Sequence, residues 1–253
     1  MDKIVVSKGL VKSRETAKAF IMEGKVFVDG NRITKAGTLV SEDSDIILKE
    51  ADMPYVSRGG LKLAAALNFF NIDVKDKVVM DVGSSTGGFT DCLLKRGAGK
   101  VYCIDVGYGQ LAWPLRKDPR VVLLERTNIR YLDQILAKRL SEGGGKGLED
   151  LVKRNMDMAT VDVSFISLTK VMPVVITFLK EVGEALVLVK PQFEVGKGEV
   201  GKGGIVREEE KRLKAVSCVG EDLKRLGLKI VGLFQSPVPG QKGNIEYFLY
   251  MKG

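Results

Sequence analysis

Lys62, Asp162, Lys190 and Glu246 are polar residues spread over most of the chain, and each stands at the edge of an apolar run. Between the first and second of them lies a glycine-rich stretch, Asp81-Val82-Gly83-Ser84-Ser85-Thr86-Gly87-Gly88-Phe89-Thr90-Asp91, placed to follow a strand. Lysine and two carboxylates on neighbouring strand ends, beside a nucleotide-type loop, are what methyl transfer to a ribose hydroxyl requires. The carboxylates and ammonium groups would orient the hydroxyl and stabilise the charge that develops on its oxygen.

The elements that must carry these residues follow from apolar patterning. Met158 to Val163 reads as a strand ending in Asp162, and Ala185 to Val189 as another ending in Lys190. Leu61 to Phe70 reads as an amphipathic helix with Lys62 in its first turn. In a doubly wound sheet the carboxyl ends of parallel strands form the ligand crevice, so Asp162 and Lys190 should face the cleft of the glycine loop. Glu246 begins a last strand, Ile245 to Tyr250, and reaches that crevice only if this strand is antiparallel. The turn residues Pro239-Gly240 and Gly243-Asn244 fit such a reversal. Taken singly, each strand-end charge is also what an ordinary solvated surface would show.

The loop has the order strand, loop, helix, strand, acid. Lys77 to Val82 is a buried-strand run, Phe89 to Lys95 is helical, and Lys100 to Asp105 is a strand ending in an acid. Glycines let the backbone approach a ligand, the helix start presents free N–H groups, and an acid about twenty residues on can bind ribose hydroxyls. The architecture suits a dinucleotide or S-adenosylmethionine. Ser85 stands where the dinucleotide fingerprint needs glycine, which disfavours NAD. A rival nucleotide motif, Gly196-Lys197-Gly198-Glu199-Val200-Gly201-Lys202-Gly203, matches a P-loop except that Gly203 replaces the magnesium-binding hydroxyl residue. The next helix, from about Glu208, starts too late to serve a phosphate, so the segment reads as a mobile lysine-bearing rim.

Composition narrows the chemistry. The 253 residues hold no histidine and three cysteines, Cys92, Cys103 and Cys218, none in a CxxC pair. This excludes Ser-His and Cys-His nucleophile pairs and His-ligated metals, and argues against a disulfide framework or thiolate metal site. A formal charge of +8 favours a polyanionic partner, although solubility charge would look the same. The apolar stretch Val171 to Leu179 is interrupted by Pro173 and Thr177 and falls short of the roughly 20 residues a membrane span needs. With no apolar N-terminal segment of secretion type, the expected location is cytoplasmic, with neither membrane nor metal as a partner.

The first fifty residues form a separate module. Ser13 is a plausible N-cap for a helix carrying Ala17, Phe20 and Ile21, which Gly24 ends. Lys25 to Ile33 alternates around Asp29-Gly30 as a hairpin, and a strand from Asp45 to Leu48 follows. Lys8, Lys12, Arg14, Lys18, Lys25 and Arg32 outnumber the opposing acids Asp2, Glu15, Glu23 and Asp29. Lys49-Glu50-Ala51-Asp52-Met53-Pro54 is polar and ends in proline, as a linker does. The expected division is 1–48 for the small module, 49–58 for the linker and 59–253 for the larger domain.

These strings together resemble known families. GLVKSRETAKAFIMEGKVFVDG resembles an S4-type RNA-binding domain. DVGSSTGGFTD resembles motif I of class I methyltransferases, especially the FtsJ type acting on RNA ribose. GGLKLAAAL, VDVSFISL, LVKPQFE and GNIEYF resemble the Lys-Asp-Lys-Glu tetrad of ribose 2'-O-methyltransferases. Over nearly its full length the chain resembles the TlyA type, a family named haemolysin whose implied activity is rRNA cytidine 2'-O-methylation. Two departures are a start that is a few residues short and an inserted flexible loop at Ser141 to Gly147.

The resemblance implies an α/β fold: a small α+β S4-like domain, then a Rossmann-like class I methyltransferase with a mostly parallel sheet, a reversed last strand and helices on both faces. S-adenosylmethionine would be the cofactor, its methionine part cradled by Asp81, Gly83, Ser84, Ser85, Thr86, Gly87, Gly88 and Phe89. Asp105 would take its ribose, and Thr127 and Asn128, after the strand Val121 to Leu124, would border its adenine. Lys62, Asp162, Lys190 and Glu246 would be catalytic, with Lys190 between the two carboxylates. Such neighbours favour the ammonium form, which makes this lysine a stabiliser of the developing alkoxide rather than a base. Ribosomal RNA or ribosomal subunits would be the partner, contacted by Lys8, Lys12, Arg14, Lys18, Lys25 and Arg58. Two alternatives stay open: a non-catalytic assembly factor with a degenerate methyltransferase domain, which need not bind the cofactor, and a membrane-active haemolysin, which liposome leakage would reveal.

Overall fold

The computed structural model describes residues 1–11, 13–22, 24–48, 53–196 and 198–253. The expected RNA contact Lys12, the acid Glu23, linker residues 49–52 and Lys197 of the glycine-rich rim lie outside the described residues. The chain divides into two compact units, Met1–Met53 and Pro54–Gly253.

In the first unit two helices, α1 (Asp2–Ser7) and α2 (Arg14–Met22), pack on a sheet of β1 (Val26–Val28), β2 (Asn31–Ile33) and β3 (Ile46–Leu48). The strand order is β2-β1-β3, all antiparallel. Asp29 (φ 48°) and Gly30 (φ 78°) both take the left-handed region at the β1–β2 turn, the conformation a two-residue hairpin of this twist needs. Ser13 Oγ accepts from the Thr16 amide at 3.2 Å, capping α2. Val5, Ala17, Ile21, Val26, Val28 and Ile46 close the small core.

The second unit is built in chain order from α3 (Arg58–Phe69), β4 (Val78–Val82), α4 (Gly88–Lys95), β5 (Lys100–Ile104), α5 (Trp113–Arg116), β6 (Val121–Leu124), α6 (Leu132–Ser141), α7 (Glu149–Val152) and β7 (Met156–Val161). It continues with α8 (Met172–Val175), β8 (Leu179–Val189), α9 (Pro191–Glu194), α10 (Glu209–Arg225), β9 (Lys229–Gln235) and β10 (Tyr247–Lys252). Its sheet has the order β6-β5-β4-β7-β8-β10-β9. β6, β5, β4, β7 and β8 are parallel, and β10 runs against both β8 and β9. Side chains alternate between two cores. Val79, Val101, Cys103, Leu186 and Phe248 meet α3 and α4 on one face, and Met80, Tyr102, Ile104, Val187 and Leu249 meet α6, α8 and α10 on the other. Strands covered on both faces are mostly apolar, which is why stretches such as Ala185 to Val189 read as hydrophobic runs.

Several boundaries differ from those expected. α3 begins at Arg58, not Leu61, so Lys62 stands in its second turn. β7 spans Met156–Val161 and leaves Asp162 just beyond its end, and β10 starts one residue after Glu246. β8 begins at Leu179, ahead of the apolar run from Ala185. The glycine stretch after α6 is pinned: Gly144 donates to Arg139 O at 2.8 Å and Tyr102 Oη donates to Gly147 O at 2.9 Å.

Candidate active site

Chain order reverses direction in the sheet at β4, which has β5 on one side and β7 on the other. The carboxyl ends of such strands open a crevice. Here a cleft of about 430 Å³ forms, and Lys62, Asp162, Lys190 and Glu246 all line it together with Gly83, Ser84, Ser85, Thr86, Gly88 and Phe89.

Its floor is the loop between β4 and α4. Gly83 (φ 84°), Ser85 (φ 48°) and Gly87 (φ 94°) take left-handed conformations in alternation. Gly83 also presses on the end of β7, where an added Cβ would come 2.5 Å from the Asp162 carbonyl oxygen. The loop and the main chain of Asp162 are therefore packed directly against each other. Asp105, just past β5, accepts from the Ser85 amide at 2.8 Å and the Gly107 amide at 2.7 Å, bracing the loop from the other side.

Asp81 supports the loop from beneath and does not line the cleft. Its fully buried carboxyl accepts from Thr90 Oγ1 at 2.6 Å and Thr160 Oγ1 at 3.1 Å. Burial pushes it up to about 7, outweighing the two hydroxyl bonds that favour its charged form. Thr127 is buried and donates its amide to Asp105 O at 2.9 Å, while Asn128 Oδ1 caps the following turn through the Arg130 amide at 3.1 Å. These two, with Asp105 and Gly87, stand outside the wall of the cleft.

The polar residues of the cleft form two pairs. Lys190 Nζ lies 2.6 Å from Asp162 Oδ1 and donates to Ser164 Oγ at 2.8 Å. Lys62 Nζ donates to Glu246 Oε2 at 2.6 Å, and Gln192 Nε2 donates to Glu246 Oε1 at 3.3 Å. Lys190 is thus not held between two carboxylates as expected. The inward face of α3 delivers Lys62 to Glu246, and this leaves Lys190 with Asp162 alone. The reversed β10 makes the Lys62–Glu246 pairing possible, because its start lies at the same sheet edge as the ends of β7 and β8.

Residues outside the expected set complete the walls. Phe165 (φ 63°) is 84% exposed and its ring sits 5.0 Å from that of Phe193. Ser164, Gln192, Phe193 and Asn244 also line the cleft. Asn244 ties two loops, donating to Gly204 O at 2.9 Å and accepting from the Val206 amide at 3.2 Å. All five lie within, or next to, the strings VDVSFISL, KPQFE and GNIEYF, but apolar periodicity says nothing about the direction of residues beyond a strand end. The rim expected at Gly196 to Gly203 contributes its neighbour Gly204 to the wall and closes on itself through a bridge between Gly201 and Ile205. α9, not a strand, precedes it, so the P-loop geometry does not form.

Of the expected RNA contacts, Arg58 lines the cleft and donates to Pro239 O at 2.7 Å. In the first unit Lys8 and Lys18 are exposed, Arg14 pairs with Asp2 at 2.8 Å, and Lys25 lies 4.8 Å from the Phe20 ring centre. Among the described residues no group of three His, Cys, Asp or Glu side chains could hold a metal, and no helix is long and apolar enough to cross a membrane.

Comparison with known proteins gives two family matches, FtsJ-like methyltransferase over residues 55–253 and S4 domain over residues 1–47. The chain is 44% identical over 251 residues to YqxC of Bacillus subtilis, named as an rRNA methyltransferase, covering 99% of this chain and 84% of that one. It is 42% identical over 253 residues to the 16S/23S rRNA (cytidine-2'-O)-methyltransferase TlyA of Mycobacterium tuberculosis, covering 100% of this chain and 89% of that one. A solved structure of a protein named as a hemolysin from Streptococcus thermophilus is 39% identical with a TM-score of 0.74, covering 99% of this chain and 86% of that one.

Proposed function

The chain belongs to the FtsJ-like methyltransferases and carries an S4 domain, and on that premise we propose that it methylates ribose 2'-hydroxyl groups of ribosomal RNA with S-adenosylmethionine. The observation that carries this reading is the shared cleft, in which the loop Gly83 to Gly88 faces both lysine–carboxylate pairs. The relative from Mycobacterium tuberculosis acts on cytidine, and cytidine is the proposed nucleotide here. The location proposed with this activity is the cytoplasm, where a ribosomal RNA substrate is within reach.

The residues present fit the cofactor. Ser84 Oγ is buried in the loop without a hydrogen-bond partner among the described residues, so it has capacity for a ligand. The left-handed backbone of Gly83, Ser85 and Gly87 leaves room for close approach, and Asp105 stands at the end of β5 where a ribose would be met. Ser84, Ser85, Thr86 and Gly88 would hold the methionine part, with Phe89 behind them. When bound, S-adenosylmethionine supplies an electrophilic methyl group on a sulfonium.

The chain's own residues do the rest by orientation and charge. Most of the barrier reduction comes from holding the ribose oxygen about 3 to 3.5 Å from the methyl carbon in line with the leaving group. The Lys190 ammonium stabilises negative charge as it develops on the 2'-oxygen. Asp162 keeps that ammonium in place and offers an exit for the hydroxyl proton towards water. Lys62, fixed by Glu246, positions the ribose or its phosphate. Phe165 and Phe193 offer an aromatic face at the mouth against which an unstacked base can lie. The basic residues of the S4 unit and Arg58 bind phosphates, which orient the RNA without reading its sequence.

Ribose methylation is mapped on ribosomal RNA from cells with and without this protein. The expected result is one or more cytidine 2'-O-methyl groups present only with it. Identical maps, together with no binding of S-adenosylmethionine in calorimetry, would favour an assembly factor instead.

A further inference from the structure

We propose that Ser164 is a positioning residue for the reaction, fixing the direction in which the Lys190 ammonium presents its remaining N–H to the ribose oxygen. The inference rests on the methyltransferase reading above and adds a residue outside the lysine–carboxylate set.

The argument begins with what holds Lys190. An ammonium has three N–H groups on a flexible four-carbon stem, so its position and its rotation must be set separately. Asp162 sets the position: its Oδ1 lies 2.6 Å from Nζ. That oxygen nevertheless receives no aligned hydrogen bond among the described residues. Charge attraction depends little on angle, whereas a hydrogen bond weakens steeply off its axis. The directional contact of Nζ is the one to Ser164 Oγ, at 2.8 Å.

A second observation concerns how Ser164 is presented. The next residue, Phe165, holds a left-handed backbone with φ 63°, although it is neither glycine nor asparagine and its side chain is 84% exposed. Such a conformation is costly for a bulky side chain and persists where the surroundings impose it. Here it turns the chain sharply after Asp162, so that carboxylate and hydroxyl, two residues apart, flank one ammonium. With Ser164 taking one N–H and Asp162 crowding another side, the third is left facing the cleft.

The test uses the full chain with ribosomal RNA as methyl acceptor. Ser164→Ala is expected to lower kcat about 10-fold or more, the loss of a hydrogen bond to a charged group. KM for RNA and Kd for S-adenosylmethionine should stay within about twofold, because the contact acts only on the transition state. Ser164→Thr keeps the hydroxyl and should restore most of kcat. Wild-type kcat in Ser164→Ala would overturn the inference, as would equal losses in Ser164→Ala and Ser164→Thr. A wild-type chain that binds S-adenosylmethionine yet methylates no ribosomal RNA would overturn the functional reading itself.

Discussion

Lys62 and Glu246 stand 184 residues apart in the chain and 2.6 Å apart in the fold, and both side chains are nearly sealed from water, 11% and 2% exposed. A buried ion pair is costly to half-remove, because the partner left behind is an uncompensated charge. Glu246→Leu should therefore destabilise the protein by about 3–5 kcal/mol. Combining it with Lys62→Met should recover most of that stability and none of the activity. Urea unfolding beside methyl transfer to ribosomal RNA checks both halves; an active double variant would remove the pair from the mechanism.

Lys190→Ala separates chemistry from cofactor binding. Without the ammonium near the ribose oxygen, transfer should fall by about 10²–10³-fold, the scale of a lost electrostatic donor. Calorimetric binding of S-adenosylmethionine should persist. An unchanged transfer rate in the purified variant would show that this role is misassigned.

Gly83→Ala attacks the floor. The new methyl group would meet the Asp162 carbonyl oxygen at 2.5 Å on a residue whose φ is 84°, so loop and β7 must separate. The expected outcome is cofactor affinity weakened by at least about tenfold, equivalent to about 1.4 kcal/mol. Wild-type affinity would mean that the approach is not needed for binding.

Asp81 should make stability depend on pH. Its folded value of about 7 lies above the ordinary 3.8, so the folded chain keeps a proton that the unfolded chain has released between those values. The stabilisation is full below about pH 4, declines as pH rises towards about 7 and is flat beyond. Denaturation of the wild type against Asp81→Asn at pH 5 and pH 8 reads the difference. Parallel behaviour of the two proteins would show that Asp81 ionises normally.

Phe165→Ala should weaken RNA engagement rather than cofactor binding. Stacking of a base on an aromatic ring is worth about 1–3 kcal/mol, so KM for RNA should rise by about 5- to 150-fold. Filter binding of the RNA and calorimetry of S-adenosylmethionine distinguish this from general damage, which would lower both.

Much of this is legible in the amino-acid sequence. The glycine loop betrays itself by the order of strand, turn, helix and acid, and the reversed last strand by Pro239-Gly240 and Gly243-Asn244, because turn residues have local causes. The pairing of the cleft residues does not. Arg58-Gly59-Gly60 carries no apolar signal, so α3 reads as starting late and the face on which Lys62 lies cannot be fixed. Asp157 conceals the beginning of β7, because a polar residue interrupts the apolar run. In the fold its carboxylate accepts from the Val78 amide at 2.8 Å and pairs with Lys180. Glu184 similarly masks β8 until Tyr250, which donates to it at 2.6 Å, comes alongside. Long-range partners make these residues tolerable in strands, and no window of neighbouring letters contains such partners.

β10 has one more consequence. Tyr247, Leu249 and Met251 fill one core while Phe248 and Tyr250 fill the other, and Tyr247 faces Val189 across the ladder. Sliding this strand by a single residue would exchange its two sets of side chains and carry Glu246 out of reach of Lys62. The position of this carboxylate is therefore set by packing on both faces of the sheet and not by the cleft itself, so other parts of the cleft wall can vary while Glu246 stays in place.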